Sequence, residues 1–279
     1  MNLPAQTRPR FFAQRRLACF ILLVLFFSGC AEVPLTERKS LSIVPHSDVV
    51  ALGFQEYRQV LKKAKLSRDP EKVAMVRQVG KRIARAAEWF LRKEGMEEDL
   101  HYYHWEFNLI ENDKVINAWC MPGGKIAVYT GILPVTRDEN GLAVVLGHEV
   151  GHAIAHHGDE RLSQNLLANF GGMALSVALA QRPQATRELA MAAFGMGANI
   201  GFLLPYSRIQ ESEADRIGLM LMAKAGYNPK GAVSLWMRMK QQGGKTPPAL
   251  LSTHPAPSSR IADIRHYLPE AMALYRRSR

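Results

Sequence analysis

The stretch Leu142-Ala143-Val144-Val145-Leu146-Gly147-His148-Glu149-Val150-Gly151-His152 decides how this chain is read. Its last five residues follow the pattern H-E-x-x-H. On an α-helix, residues four apart lie on one face about one turn apart. His148 and His152 can then aim their imidazoles at one ion. Glu149, rotated by about 100° from His148, reaches a water beside that ion. Zinc held by two histidines and a third protein ligand, with an open position for water, is the arrangement of hydrolytic zinc sites. Leu142 to Gly147 and Ala153-Ile154-Ala155 are apolar nearly all round, which predicts a core helix. Two imidazoles and a carboxylate buried there without partners are costly, and a metal ion removes that cost. Thr136 and Glu139 resemble a capping box, so the helix is expected to start near Arg137. Gly158 is the expected stop, with His156 and His157 complementing the helix dipole.

A third ligand is expected downstream, in Ser207-Arg208-Ile209-Gln210-Glu211-Ser212-Glu213-Ala214-Asp215. Glu211 and Asp215 are four apart and share a helix face. Glu211 is the candidate third ligand. Asp215 is the candidate acceptor for the far ring N–H of a ligand histidine, which fixes its tautomer. Glu213 competes for the ligand role, but its spacing turns it to a different face. Taken alone, this stretch would read as a solvated acidic run beside Arg208 and Arg216.

Several further motifs stand in order around these two helices. They are Asn117-Ala118, Pro122-Gly123-Gly124-Lys125-Ile126-Ala127-Val128-Tyr129-Thr130-Gly131, Ala225-Gly226-Tyr227-Asn228-Pro229 and Ser252-Thr253-His254-Pro255. Together with the H-E-x-x-H and E-x-x-x-D helices, they make the chain resemble the HtpX-like family of zinc metallopeptidases, which also contains the CAAX prenyl proteases. The resemblance is nearest to the bacterial lipoprotein branch (LoiP-like and BepA-like proteins, here without a repeat domain). It covers roughly residues 34–268. Cys120 departs from the small apolar residue usual at its position. The resemblance implies a predominantly helical α+β fold, a zincin-type (gluzincin) domain with a small β-sheet flanking the active-site helix. It also implies one Zn2+ per chain, held by His148, His152 and Glu211, and the degradation of misfolded or misassembled cell-envelope proteins.

The expected chemistry is zinc-assisted peptide hydrolysis, with Glu149 taking the proton of the attacking water and passing it to the leaving amine. The segment from Asn117 to Val128 is the candidate substrate-binding strand, with Asn117 and Ala118 at its start. Main-chain pairing there suits unfolded substrates, although the glycines also fit a plain hairpin turn. His254 is expected either to touch the transition state, to fill the fourth zinc position in a resting state, or to be a surface histidine on a turn. Arg208 is a second candidate for orienting the site. The competing function is a lipoprotein chaperone or adaptor with a latent or structural zinc site. A zinc hydrolase of non-peptide bonds is disfavoured by the strand motif, and CAAX processing by the lack of membrane spans.

The amino terminus carries an address. Arg8, Arg10, Arg15 and Arg16 precede an apolar run from Leu17 to Phe27, and Phe27-Ser28-Gly29-Cys30 resembles a lipobox. The run is too short to span a membrane and fits a signal-peptide core. The expected division is a signal peptide at 1–29, a lipidated linker at 30–45 and a metallopeptidase domain at 46–279. Acylated Cys30, followed by Ala31, predicts an outer-membrane lipoprotein facing the periplasm. Of three cysteines, only Cys120 then stays free, so no internal disulfide forms. The net charge of +11 falls to 11 − 4 = +7 without the leader, whose residues include four arginines and no acid. No nucleic-acid motif accompanies the basic residues.

The remaining pattern is α-rich. A helix is predicted from about Ser47 to Lys65, with Phe54, Tyr57, Val60 and Leu61 at helical spacing. Asp69-Pro70 reads as a cap and first-turn proline. It opens a helix to about Lys93 with Val73, Val76, Val79, Ile83 and Ala87 as its apolar stripe. Trp105, Phe107 and Leu109 alternate with polar residues, which predicts a strand, and two more strands bracket Met121-Pro122-Gly123-Gly124. Leu166 to Leu204, rich in Ala, Gly and Met, is expected to form a pair of core helices.

Overall fold

A computed structural model describes residues 30–198, 204–242, 249–254 and 260–278. The predicted leader at 1–29 lies outside the described residues. The chain opens with strands β1 (Cys30–Glu32) and β2 (Lys39–Leu41), paired antiparallel. The expected linker is therefore folded onto the body: Val33 is buried in the main core. Helix α1 spans His46–Lys63 and α2 spans Pro70–Lys93. Asp69 caps α2 by accepting from the backbone N–H of Glu71 and Lys72, as its sequence predicts. Val76, Val79, Ile83, Ala87, Phe90 and Leu91 form the buried face of α2.

The sheet holds β3 (Glu106–Ile110), β4 (Ala118–Met121) and β5 (Lys125–Tyr129) in the order β3-β5-β4. β3 runs parallel to β5, and β4 pairs antiparallel with β5 in the register Ala118↔Val128. Gly123 and Gly124 close the β4–β5 turn at φ of 84° and 79°, the left-handed region that glycine enters without strain. β4 is thus an edge strand, and it lies against the H-E-x-x-H helix.

A short helix α3 (Leu133–Thr136) leads into α4 (Glu139–Ile154), which carries that motif. Two details of α4 differ from expectation. Its cap is Asp138, which accepts from Gly141 N–H at 2.7 Å, while Thr136 is buried in α3. The helix also stops at Ile154, before Gly158. His156 takes a left-handed conformation at φ 54°, and α5 (His157–Ala178) starts immediately after it. Beyond lie α6 (Gln184–Ala198), α7 (Leu204–Lys224), α8 (Gly231–Gln241), α9 (Ala249–Thr253) and α10 (Arg260–Arg277).

Helices α4 and α7 make the central packing of the domain. They approach so closely that a Cβ on Gly147 would lie 2.8 Å from Gly218 O, and one on Gly151 2.8 Å from Ala214 O. Gly147 and Gly151, the second of the motif's two free positions, therefore let α7 bring Glu211 to the histidines. The expectation of core helices in 166–204 is corrected. Phe170, Met173, Val177, Leu189 and Met196 on α5 and α6 are exposed, while the start of α5 packs on α4, β2 and α1. Composition called for burial there, and among the described residues no element covers these side chains. No described helix is long and apolar enough to cross a membrane.

Candidate metal centre

One turn of α4 and one turn of α7 bring the expected ligands together. His148 Nε2 lies 3.2 Å from His152 Nε2. Glu211 Oε2 lies 3.3 Å from His148 Nε2, and Glu211 Oε1 lies 3.3 Å from His152 Nε2. His254, just after α9, places Nδ1 3.4 Å from His148 Nε2 and 2.9 Å from Glu211 Oε1. All four residues are buried. An ion with bonds of about 2.0–2.1 Å in a tetrahedron separates its ligands by about 3.3–3.4 Å. These donor separations fit that figure.

The hydrogen bonds on the far side of each ring show why a cation belongs there. Asp215 Oδ1 lies 3.0 Å from His148 Nδ1, and the donor-only Arg260 Nη2 lies 2.8 Å from Nδ1 and 3.0 Å from Nε2; a hydrogen on Nδ1 towards Asp215 leaves Nε2 its lone pair. His152 Nδ1 lies 2.8 Å from His157 Nδ1, and His157 Nε2 lies 3.1 Å from Glu213 Oε2. The carboxylate takes the N–H of His157 Nε2, leaving His157 Nδ1 to accept from His152. His152 Nε2 is then a lone pair as well. Two lone pairs and a carboxylate facing one point repel each other unless a proton or a metal ion stands between them.

The electrostatics of the buried groups agree with this arrangement. Burial and nearby Arg260 disfavour charge on His148, yet Asp215 and Glu211 outweigh them and lift its pKa from 6.5 to about 9. Burial also works against the Glu211 carboxylate, but the imidazoles of His148, His152 and His254 around it hold it far below the usual range. Burial pushes His152 well below 6.5 and keeps His157 neutral by lowering it too. A metal ion displaces the proton that His148 otherwise holds.

Glu149 is buried on the same helix, and its Oε1 has no hydrogen-bond partner. It lies 3.7 Å from His254 Nε2. A carboxylate kept free beside a metal point is placed to accept a proton from water. Ala118 opens β4, and Asn117 just before it accepts from Tyr129 N–H at 3.1 Å. Leu250 N–H on α9 donates to Ile116 O at 3.2 Å, so the segment carrying His254 docks at the start of the edge strand.

Arg208 is exposed on α7, and no contact between it and the ligands is seen among the described residues. The arginine of the site is Arg260 on α10. Its Nε and Nη2 grip both Asp215 oxygens at 2.6 and 2.7 Å, and its Nη1 lies 3.2 Å from Glu211 Oε2. The guanidinium stacks on Trp236 at 3.6 Å. His157, expected to serve the helix dipole, is instead the partner of ligand His152. Glu213, set aside as a ligand, anchors His157 and accepts from Arg38 and Thr36 at 2.8 Å each. Cys120 is half-buried and free, and burial raises its thiol pKa. Cys30, which the lipobox reading expected to be acylated, opens β1.

A mainly helical domain with H-E-x-x-H on one helix, a carboxylate ligand from a second and an edge strand alongside defines a zincin-like zinc metallopeptidase. The chain belongs to peptidase family M48, which it matches over residues 70–268. It is 40% identical over 169 residues to mitochondrial metalloendopeptidase OMA1 of Schizosaccharomyces pombe, covering 60% of this chain and 48% of that protein. With the OMA1 of Saccharomyces cerevisiae it shares 28% over 273 residues, 92% of this chain and 76% of that one. With the beta-barrel assembly-enhancing protease of Yersinia pestis it shares 28% over 226 residues, 78% of this chain and 43% of that one. The chain thus spans about half the length of the first and third of these relatives.

These names overturn one expectation. The fungal relatives are mitochondrial proteins, against the expected lipid-anchored bacterial outer-membrane address facing the periplasm. The match likewise reaches the family and not the lipoprotein branch in particular. The misreading has a physical cause. A leader with four arginines and no acidic residue also fits organelle-targeting segments, which share that charge pattern.

Proposed function

We propose that this chain is a zinc-dependent endopeptidase that cuts misfolded or misassembled proteins. The observation that carries this reading is the convergence of His148, His152 and Glu211 with Glu149, whose Oε1 has no hydrogen-bond partner, next to an edge strand. Zinc held there supplies Lewis-acid polarisation of a carbonyl and acidifies water to a pKa of about 7. Glu149 Oε1 accepts the proton from the attacking water and returns it to the leaving nitrogen. Asp215 and His157 keep the ligand rings in the required tautomers. The outer edge of β4 pairs with an extended polypeptide through main-chain bonds, which suits unfolded segments of varied sequence. Relatives named as metalloendopeptidases, and one named for β-barrel assembly, support both the chemistry and the substrate class.

His254 occupies the fourth donor position, where a substrate carbonyl or water has to enter. Cleavage therefore requires α9 to move off Ile116. The experiment is digestion of reduced casein by the full-length protein, with zinc content measured on the same sample and Glu149→Gln beside it. Cleavage by wild type alone, with equal zinc in both, supports the reading. Zinc without cleavage in either sinks it, unless His254→Ala releases activity. His254→Ala is expected to raise turnover several-fold.

A further inference from the structure

A second group of donors lies where α4 meets α5, and it takes no part in the chemistry above. His46 is the first residue of α1, His156 sits in the left-handed link between α4 and α5, and Asp159 lies in the first turn of α5. His46 Nδ1 is 2.6 Å and His156 Nδ1 3.9 Å from the same oxygen, Asp159 Oδ2. The carboxylate of Asp99 stands 3.2 Å from the far nitrogen of His156, Nε2. Asp159 is 2% exposed, and its second oxygen, Oδ1, has no hydrogen-bond partner. His46 Nε2 and His156 Nε2 have no hydrogen-bond partner either, so Asp99 stands at ion-pair distance from His156 without a hydrogen bond. The two imidazoles stack at 4.0 Å with 13° between their planes.

We propose that His46, His156 and Asp159 form a second divalent-metal site, separate from the His148 centre, with Asp99 facing the far nitrogen of His156. Two imidazole nitrogens and one carboxylate oxygen select zinc or a neighbouring late transition ion; magnesium and calcium prefer all-oxygen shells. One ligand atom from each residue lies within 4.8 Å of the others. Closing that triangle around an ion needs a shift of about 1 Å and a tilt of the stacked rings. The ion takes the place of the hydrogen between His46 Nδ1 and Asp159 Oδ2, and the ring hydrogen moves to the unpartnered His46 Nε2. Asp99 stands where carboxylates fix ligand histidines in metal sites. The left-handed backbone of His156, uncommon outside glycine, holds its ring over His46. Both histidines are partly exposed, at 14% and 16%, so solvent fills the remaining coordination position. An ion there ties the start of α1 to the turn that follows the catalytic helix.

The test is zinc titration of untagged, chelator-stripped, full-length protein, with folding checked by circular dichroism. Wild type is expected to take up about two ions per chain, and His46→Ala and Asp159→Asn about one each. Cobalt(II) is expected to give a second set of visible bands that His46→Ala removes. Saturation of wild type at one ion overturns the proposal and leaves the group as an ion-pair cluster only. Two ions in both wild type and His46→Ala also overturn it, by placing the second ion elsewhere. The wild-type stoichiometry decides the first point even if Asp159→Asn fails to fold.

Discussion

The two histidine clusters of this domain are built from the same residue types and are held in opposite ways. At His148 and His152 every donor is buried, and each ring has its own partner on the far side: Asp215 for one, His157 and Glu213 for the other. At His46 and His156 the rings are partly exposed and stacked on each other, with two ring nitrogens and one carboxylate oxygen lacking a hydrogen-bond partner. The first cluster is fixed before any ion arrives, whereas the second has to rearrange. A metal site in a buried helix pair therefore belongs to the fold, and one at a helix junction is coupled to local movement.

The largest expected effect separates holding an ion from using it. Glu149→Gln keeps the size of the side chain and removes the base. Peptide cleavage is expected to fall by about 10²–10⁴-fold, with zinc content unchanged. A variant that loses zinc as well would show Glu149 to be part of the metal-holding set, and the roles drawn above would need revision.

The next effect concerns how firmly the first cluster is fixed. His157→Leu leaves the Nδ1–H of His152 without an acceptor, and zinc affinity is expected to drop about 10–100-fold. His157→Gln retains a carbonyl to accept and an amide to donate towards Glu213, so it is expected to recover most of that loss. Equal loss in both variants, by competition with a chromophoric chelator, would reduce His157 to a packing residue.

What the sequence showed follows the range of the interactions involved. His148 with His152, and Glu211 with Asp215, were legible as pairs because helical spacing puts each pair on one face, whereas joining the two pairs took the order of the motifs. The cap of α2 was legible because Asp69 bonds within its own turn. Arg260 was not: it lies 45 positions from the Asp215 it grips, and only the packing of α10 on α7 joins them. His157 was misread for the same reason, since its partner Glu213 comes from another helix. The α5–α6 hairpin failed differently. Apolar composition states what a segment would bury, but not whether the rest of the chain offers a surface to cover it.

Acid stability tests the anchor behind His157. Burial opposes charge on Glu213, but bonds from His157 and Arg38 depress its pKa from 4.5 to about 2. A depressed carboxylate contributes stability that is present above its unfolded pKa and lost as pH falls through the folded one. The metal-free protein is therefore expected to lose stability between about pH 4.5 and pH 2. Glu213→Gln is expected to be less stable near neutrality and flatter across that window. Parallel curves for the two proteins in urea denaturation would show that Glu213 does not carry the slope.

The smallest effect returns to the second cluster. With chelator present, His46→Ala removes one partly exposed ion pair, and the expected cost is about 1 kcal/mol or less. Added zinc should widen that gap. Any ion that binds only the folded state stabilises by RT ln(1 + [L]/Kd), about 2.7 kcal/mol at a hundredfold excess over Kd. The His148 centre contributes the same amount to both proteins, so it cancels in their difference. What remains belongs to the site that His46 completes. A gap between wild type and His46→Ala that zinc leaves unchanged in thermal unfolding would mean that the stacked histidines bind only each other and their carboxylates. The contrast between the two clusters would then be one between a metal site and a surface ion-pair network.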